Sequence, residues 1–414
     1  MNELSLRDQT RNLVLNCVHE GSWGFGAAFH NAYAIIPLFL YQLNAPQGVV
    51  ISVAGLFSIM MAVPQLITAV MGRNIRNIKL AVLGVHTLVW PPIFIAGFTF
   101  AFFAPSGPQA WVFYYICFIL YGLAIGMILP IWADFLTHVT QKTRRGTFLG
   151  ISFAFNSLGG FAGGLVSKAL LSSTISFPRN FGWGFLITFG ALIVGTLVFI
   201  FYKVKTPADV RPHRTVPEFW AEIRAIIRTH TNFRRYIVSR IFFTASFPAI
   251  SLYAIYAQDR FNFDISEAGI FTAINTIAFG LASYFSGRLG DRYGHKTALV
   301  LSMCLHLSAL TLALVAPSMS WIYLVFAFLG AGLGSFIPAS MNLLYGFAGH
   351  RDNKTIMALI DTSLAPFTFL AIMLAGSLSH IVSIPAVLIG LGGSMLISAG
   401  LLVITVRDPG TEST

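Results

Sequence analysis

A few ionisable side chains sit inside otherwise apolar runs, where they could do chemistry. Glu20 and Asp361 are carboxylates within or at the edge of runs long enough to cross a bilayer. Charged groups in such places are expensive and by default mark function. A carboxyl group there can take up a proton on one side of a barrier and release it on the other. His30, followed by Asn31, falls mid-run in the first apolar stretch with Trp23 about two helical turns away, and adds an imidazole to the proton-handling candidates. The other histidines in such runs, His19, His86, His306 and His380, read as hydrogen-bonded packing residues. Both acids also have a bland reading. Residues 21–43 and 362–382 are long enough to span without them, which would leave the carboxylates in a wet funnel. Trp23, Asn31, Asn156, Tyr253, Asn275 and Thr362 are polar or aromatic positions suited to lining a solute cavity. No nucleophile–base pair, metal-ligand cluster or nucleotide-binding loop is legible, and Cys17, Cys117 and Cys304 lack CxxC spacing. The expectation is a chain that is no enzyme and needs neither metal nor cofactor.

The elements that position these residues follow from composition. Of the 414 residues 56% are hydrophobic and 10% charged, against roughly 25% charged in a soluble domain. Mean hydropathy is +0.75. Twelve apolar runs, from 13–43 through 236–258 to 385–406, are each long enough to cross the hydrocarbon layer as a helix. Unbroken stretches such as FLITFGALIVGTLVFIF lack the alternation of a membrane β-barrel. The fold class is therefore an all-α membrane protein. The first run is too long for a cleavable signal peptide and is expected to stay in the mature chain.

All but Lys168, Arg179 and Arg260 of the 26 basic residues fall on the side shared by the two termini, which should then face the cytoplasm. The net charge of +11 is thus topology and attraction to anionic lipid, not a nucleic-acid surface. An inner-membrane monomer is expected. Arg240 reads as lying only a turn or so into the seventh run, free to extend to the surface. With no other cation deep in a span, anionic cargo is disfavoured.

Residues 122–134, GLAIGMILPIWAD, return as 330–342, GAGLGSFIPASMN. Gly122, Gly126 and Pro130 match Gly330, Gly334 and Pro338, in the fourth run of each half. Glycines four apart let helix backbones approach in lipid, and the proline permits a bend. The chain divides into halves 1–203 and 236–414, joined by 204–235, where PEFWAEIRAIIR has the spacing of an amphipathic surface helix. Repeats of this kind are typical of secondary transporters.

The loop Gly287-Arg-Leu-Gly-Asp291-Arg292-Tyr-Gly294-His-Lys296 matches G-x-x-x-D-R-x-G-x-K, and with twelve spans in two sixes the whole chain resembles the major facilitator superfamily. The resemblance implies two six-helix bundles around a central cavity lined by helices one and eleven, hence by Glu20 and Asp361. It also implies a cytoplasmic gate in which Asp291 docks near the start of helix five, beside Arg144 and Arg145. Asp134 should pair with Arg73 or Arg76. The first-half counterpart, GRNIRNIK from Gly72, has no acid, so the gate should be lopsided. The expected function is secondary active transport of a small neutral, cationic or lipophilic organic solute by alternating access, with proton coupling. An uncoupled facilitator, or a transporter-like receptor without turnover, are the alternatives.

Overall fold

The computed structural model describes residues 4–71, 75, 77–141, 145–204, 216–348 and 353–408. Among them every regular element is helical. Eleven helical stretches among the described residues are long and apolar enough to cross a membrane. The first predicted span is not among them, and it is broken. Helix α1 (Leu6–Ala27) stops, and α2 (Ile35–Gln42) begins after seven intervening residues. Pro37 lies in the first turn of α2, where its missing N–H is tolerated, so the helix restarts just ahead of it.

The second span is α3 (Gln47–Met71). The third is α4 (Ile78–Thr87) and α5 (Trp90–Phe98), separated before Pro91 and Pro92 and closed by a π-helical turn at Thr99–Phe103. The fourth to sixth are α6 (Pro108–Val139), α7 (Arg145–Leu171) and α8 (Arg179–Leu197). The linker helix forms as α9 (Val216–Thr229), with Ile226 buried and Glu218 and Arg224 exposed.

The seventh span, like the first, is interrupted. Helix α10 (Thr231–Thr244) gives way before Pro248, where α11 (Pro248–Phe261) starts. The remaining spans are α12 (Glu267–Tyr293), α13 (His295–Val315), α14 (Met319–Ala348), α15 (Asn353–Leu378) and α16 (Ile384–Thr405).

Contacts divide the chain into two compact units, Met1–Asn31 with Met60–Arg214, and Ala32–Ile59 with Thr215–Thr414. In the first unit α1 and α7 meet backbone to backbone. A methyl group on Gly24 would strike the Asn156 carbonyl, and one on Gly159 the Gly21 carbonyl. Gly126 meets the Met61 carbonyl and Pro64 in the same way. In the second unit the repeated glycines of α14 do likewise, Gly330 against Asn275 and Gly334 against Phe279 of α12. Both α6 and α14 continue through their prolines, Pro130 and Pro338. Also in this unit, Tyr41 at the end of α2 donates to Asp259 of α11 at 2.7 Å. Cys17 and Cys117 are buried and Cys304 lies exposed on α13; all three are free thiols.

The loop between α12 and α13 is held by its own residues. Gly294 has φ of +89°, a conformation that favours glycine. The Lys296 ammonium donates to the carbonyls of Val403 at 2.8 Å and Val406 at 2.7 Å, and its backbone N–H to Asp408 at 2.9 Å. A cation thus caps the carbonyl end of α16. Lys296→Met should cost about 1 kcal/mol and raise hydrogen exchange at residues 402–405 several-fold. Unchanged exchange there would remove the capping role.

Candidate functional site

Glu20 lies on α1 where the glycine contacts press α7 closest. The Asn156 carboxamide therefore reaches it, donating to Oε2 at 3.1 Å. The carboxyl is 6% exposed, and among the described residues no Lys or Arg stands within ion-pair distance of it. Its nearest basic neighbour is His19, whose Nε2 is 3.9 Å from Oε1. His19 Nδ1 bonds the Gly195 carbonyl at 2.8 Å; a carbonyl only accepts, so Nδ1 carries the hydrogen and Nε2 of the neutral ring turns its lone pair toward Glu20.

The surroundings are aromatic. The His19 ring is 4.7 Å from Phe199, 5.3 Å from His86 and 6.0 Å from Trp23. His86 in turn bonds the Val82 carbonyl at 2.7 Å. The indole Nε1 of Trp23 is buried without an acceptor. His19 and His86 are buried, hydrogen-bonded and packed among rings, as their sequence positions lead one to expect. Only folding shows that α1, α4 and the helical end of the sixth span bring these two rings together, with His19 next to the acid.

His30 needs correcting. It is not mid-helix but in the break between α1 and α2, enclosed by the rings of Tyr121 at 4.7 Å and Phe185 at 5.5 Å, with Tyr114 and Phe118 each at 6.1 Å. Asn31, beside it, donates to the Ala28 carbonyl at 3.3 Å. Asp361 is half-buried on α15, next to Thr362, whose buried hydroxyl has no partner. Tyr253 is buried on α11. Asn275 donates to the Phe326 carbonyl at 3.2 Å, which makes it a tie between α12 and α14.

Arg240 needs the larger correction. Helix α10 starts at Thr231 rather than near 236, which puts Arg240 nine residues in, about 13 Å along the axis. It is 5% exposed rather than extended to the surface. Nη1 donates to the Ser340 hydroxyl at 2.7 Å and the Tyr236 hydroxyl at 3.2 Å, while the guanidinium lies 4.3 Å from the centre of the Phe336 ring. The reason given for disfavouring anionic cargo, the lack of a buried cation, is thereby removed.

Of the expected gate residues, Asp291 has 79% of its side chain exposed and His295 Nε2 at 3.9 Å. Arg292 is exposed over the Tyr293 ring at 5.1 Å, and Gly287 faces open space. Asp134 is half-buried on α6. Arg73, Arg76 and Arg144 lie outside the described residues, as does the Arg145 side chain.

The chain matches the family model described as Major Facilitator Superfamily over residues 21–256 and 236–414. It is 29% identical over 98 residues to the niacin transporter NiaP of Acinetobacter baylyi, a match spanning 23% of this chain and 22% of that one. It is 24% identical over 278 residues to the uncharacterized MFS-type transporter MJ1560 of Methanocaldococcus jannaschii, covering 64% of this chain and 67% of that one. A solved POT family transporter, in complex with a thioalcohol-conjugated peptide, shares the fold with a TM-score of 0.71 at 13% identity, over 96% of each chain. With eleven described apolar spans, a duplicated fourth helix and a family match running from residue 21 to the end, this multi-pass membrane protein belongs to the major facilitator superfamily of transporters.

Proposed function

We propose that the protein is a proton-coupled secondary transporter of a small organic solute, working in the cytoplasmic membrane by alternating access of two bundles, 1–203 and 236–414, joined by the linker 204–235. The observation that carries the coupling is Glu20: a buried carboxyl with one amide donor, an imidazole lone pair nearby and no fixed cation. An acid permanently neutralised by Lys or Arg has little use for a proton. One held by a neutral amide changes its charge with each proton it gains or loses. Protonation removes a charge from the core of the first unit, which favours any rearrangement that takes the site across a less polar surrounding.

Asp361 is less buried, and His30 sits in an aromatic cage without an acid beside it. Glu20 is therefore the coupling residue of choice. The test is proton movement into dye-loaded proteoliposomes presented with a panel of small organic solutes, niacin among them. Solute-dependent acidification in wild-type protein and none in Glu20→Gln supports the reading. Solute flux with no proton movement would replace it with a facilitator, and binding with no flux by a receptor.

A further inference from the structure

We infer that Arg240 and the aromatic side chains around it recognise an organic anion, a carboxylate on a small apolar body. The guanidinium is accounted for on most sides. Nη1 is used by Tyr236 and Ser340, whose hydroxyls also bond each other at 3.0 Å and so fix α10 to α14. One face lies on Phe336. The edge formed by Nε and Nη2 is different: Nε is buried without an acceptor, and among the described residues no hydrogen bond or ion pair reaches Nη2. That edge offers two parallel N–H groups, the geometry a carboxylate fits with both oxygens.

The charge argues for an anion. Two hydroxyls and a ring solvate a guanidinium without neutralising it, and a buried charge with no counter-ion costs several kcal/mol, so the site gains from recruiting one. The lining argues for an apolar body. Phe336 stacks on Phe243 at 4.9 Å, and Tyr236 packs on Phe347 at 5.5 Å. A small inorganic anion would give up its water there and get one arginine in return. Position agrees as well, since Arg240 lies about one turn before the break that precedes Pro248, and interrupted spans are where transporters place solute. The inference rests on the transport reading above, but it is tested by binding, which requires no transport.

The experiment is calorimetric titration of the purified full chain in detergent with benzoate, phenylacetate and hexanoate, each paired with its neutral amide. At least one acid should bind where its amide does not. Arg240→Gln should weaken that acid at least about 30-fold, and Arg240→Lys should recover part of the loss by keeping the charge without the fork. Should these variants fail to fold, wild-type crystals soaked in 4-iodobenzoate should show the anomalous iodine peak beside Arg240 and Phe336. Failure of all three acids, equal binding of acid and amide, an iodine peak elsewhere, or equal displacement by chloride or phosphate each overturns the inference. Flux of a neutral solute untouched by Arg240→Gln would sink this site and leave the transport reading standing. Benzoate binding without flux of any solute would do the reverse.

Discussion

Gly159→Leu should leave little monodisperse protein after detergent extraction, while Gly159→Ala should fold with its stability reduced by about 1–3 kcal/mol. The reason is positional. A Cβ at 159 would fall on the Gly21 carbonyl and crowd the Phe25 amide, both backbone atoms of α1 that cannot rotate away. In lipid no hydrophobic effect holds helices together, so their association depends on this close packing, and pushing α7 outward forfeits it along the whole pair. Gly24 and Gly163 meet α7 and α1 in the same manner, so the contact has no slack on either side. Gly190→Ala is the control: nothing lies within 4 Å of its would-be methyl, and the change should be neutral or stabilising by up to about 1 kcal/mol. Thermal unfolding followed by size-exclusion chromatography reads all three variants. Equal behaviour of Gly159→Leu and Gly190→Ala would show that the α1–α7 contact is dispensable.

The second large effect is on energy coupling. With one proton carried per solute, a pH gradient of one unit sustains about tenfold accumulation, because each tenfold ratio corresponds to about 1.4 kcal/mol. Glu20→Gln keeps the size of the side chain and an acceptor oxygen for Asn156 but cannot exchange a proton at neutral pH. It should therefore equilibrate solute, with accumulation falling from about tenfold to onefold, while exchange of labelled for unlabelled solute continues. Loss of exchange as well would mean that Glu20 holds the fold or the solute and not the proton. Asp361→Asn should retain accumulation, since Asp361 is half-buried. The opposite pattern, coupling kept in Glu20→Gln and lost in Asp361→Asn, would move the role to α15.

Much of this was visible in the linear chain, and what was hidden was hidden for physical reasons. Span positions are local properties of composition, so eleven of the twelve predicted runs correspond to apolar helical spans among the described residues, and Gly126, Gly330 and Gly334 do meet carbonyls of neighbouring helices. The break in the first span was signalled by Pro37, but the apolar run on both sides masked it. That is why His30 was placed mid-helix. Arg240 was misplaced by an error of five residues in where α10 begins, enough to turn a surface charge into a buried one. The company of Glu20 was unreadable. His19 is its neighbour in sequence, but Asn156, Gly195 and Phe199 arrive through packing of distant helices, and no periodicity specifies which face of α7 or of the sixth span will turn toward α1.

The three free thiols have a practical corollary. Two are buried, and Cys304 is exposed at mid-length of a helix long and apolar enough to cross a membrane. A maleimide must reach the sulfur to react, which the two buried thiols do not allow. Replacing Cys304 alone by Ser should thus give a silent background on which spin labels or fluorophores are installed at chosen loop positions, one pair at a time, to follow the conformational cycle by distance measurement.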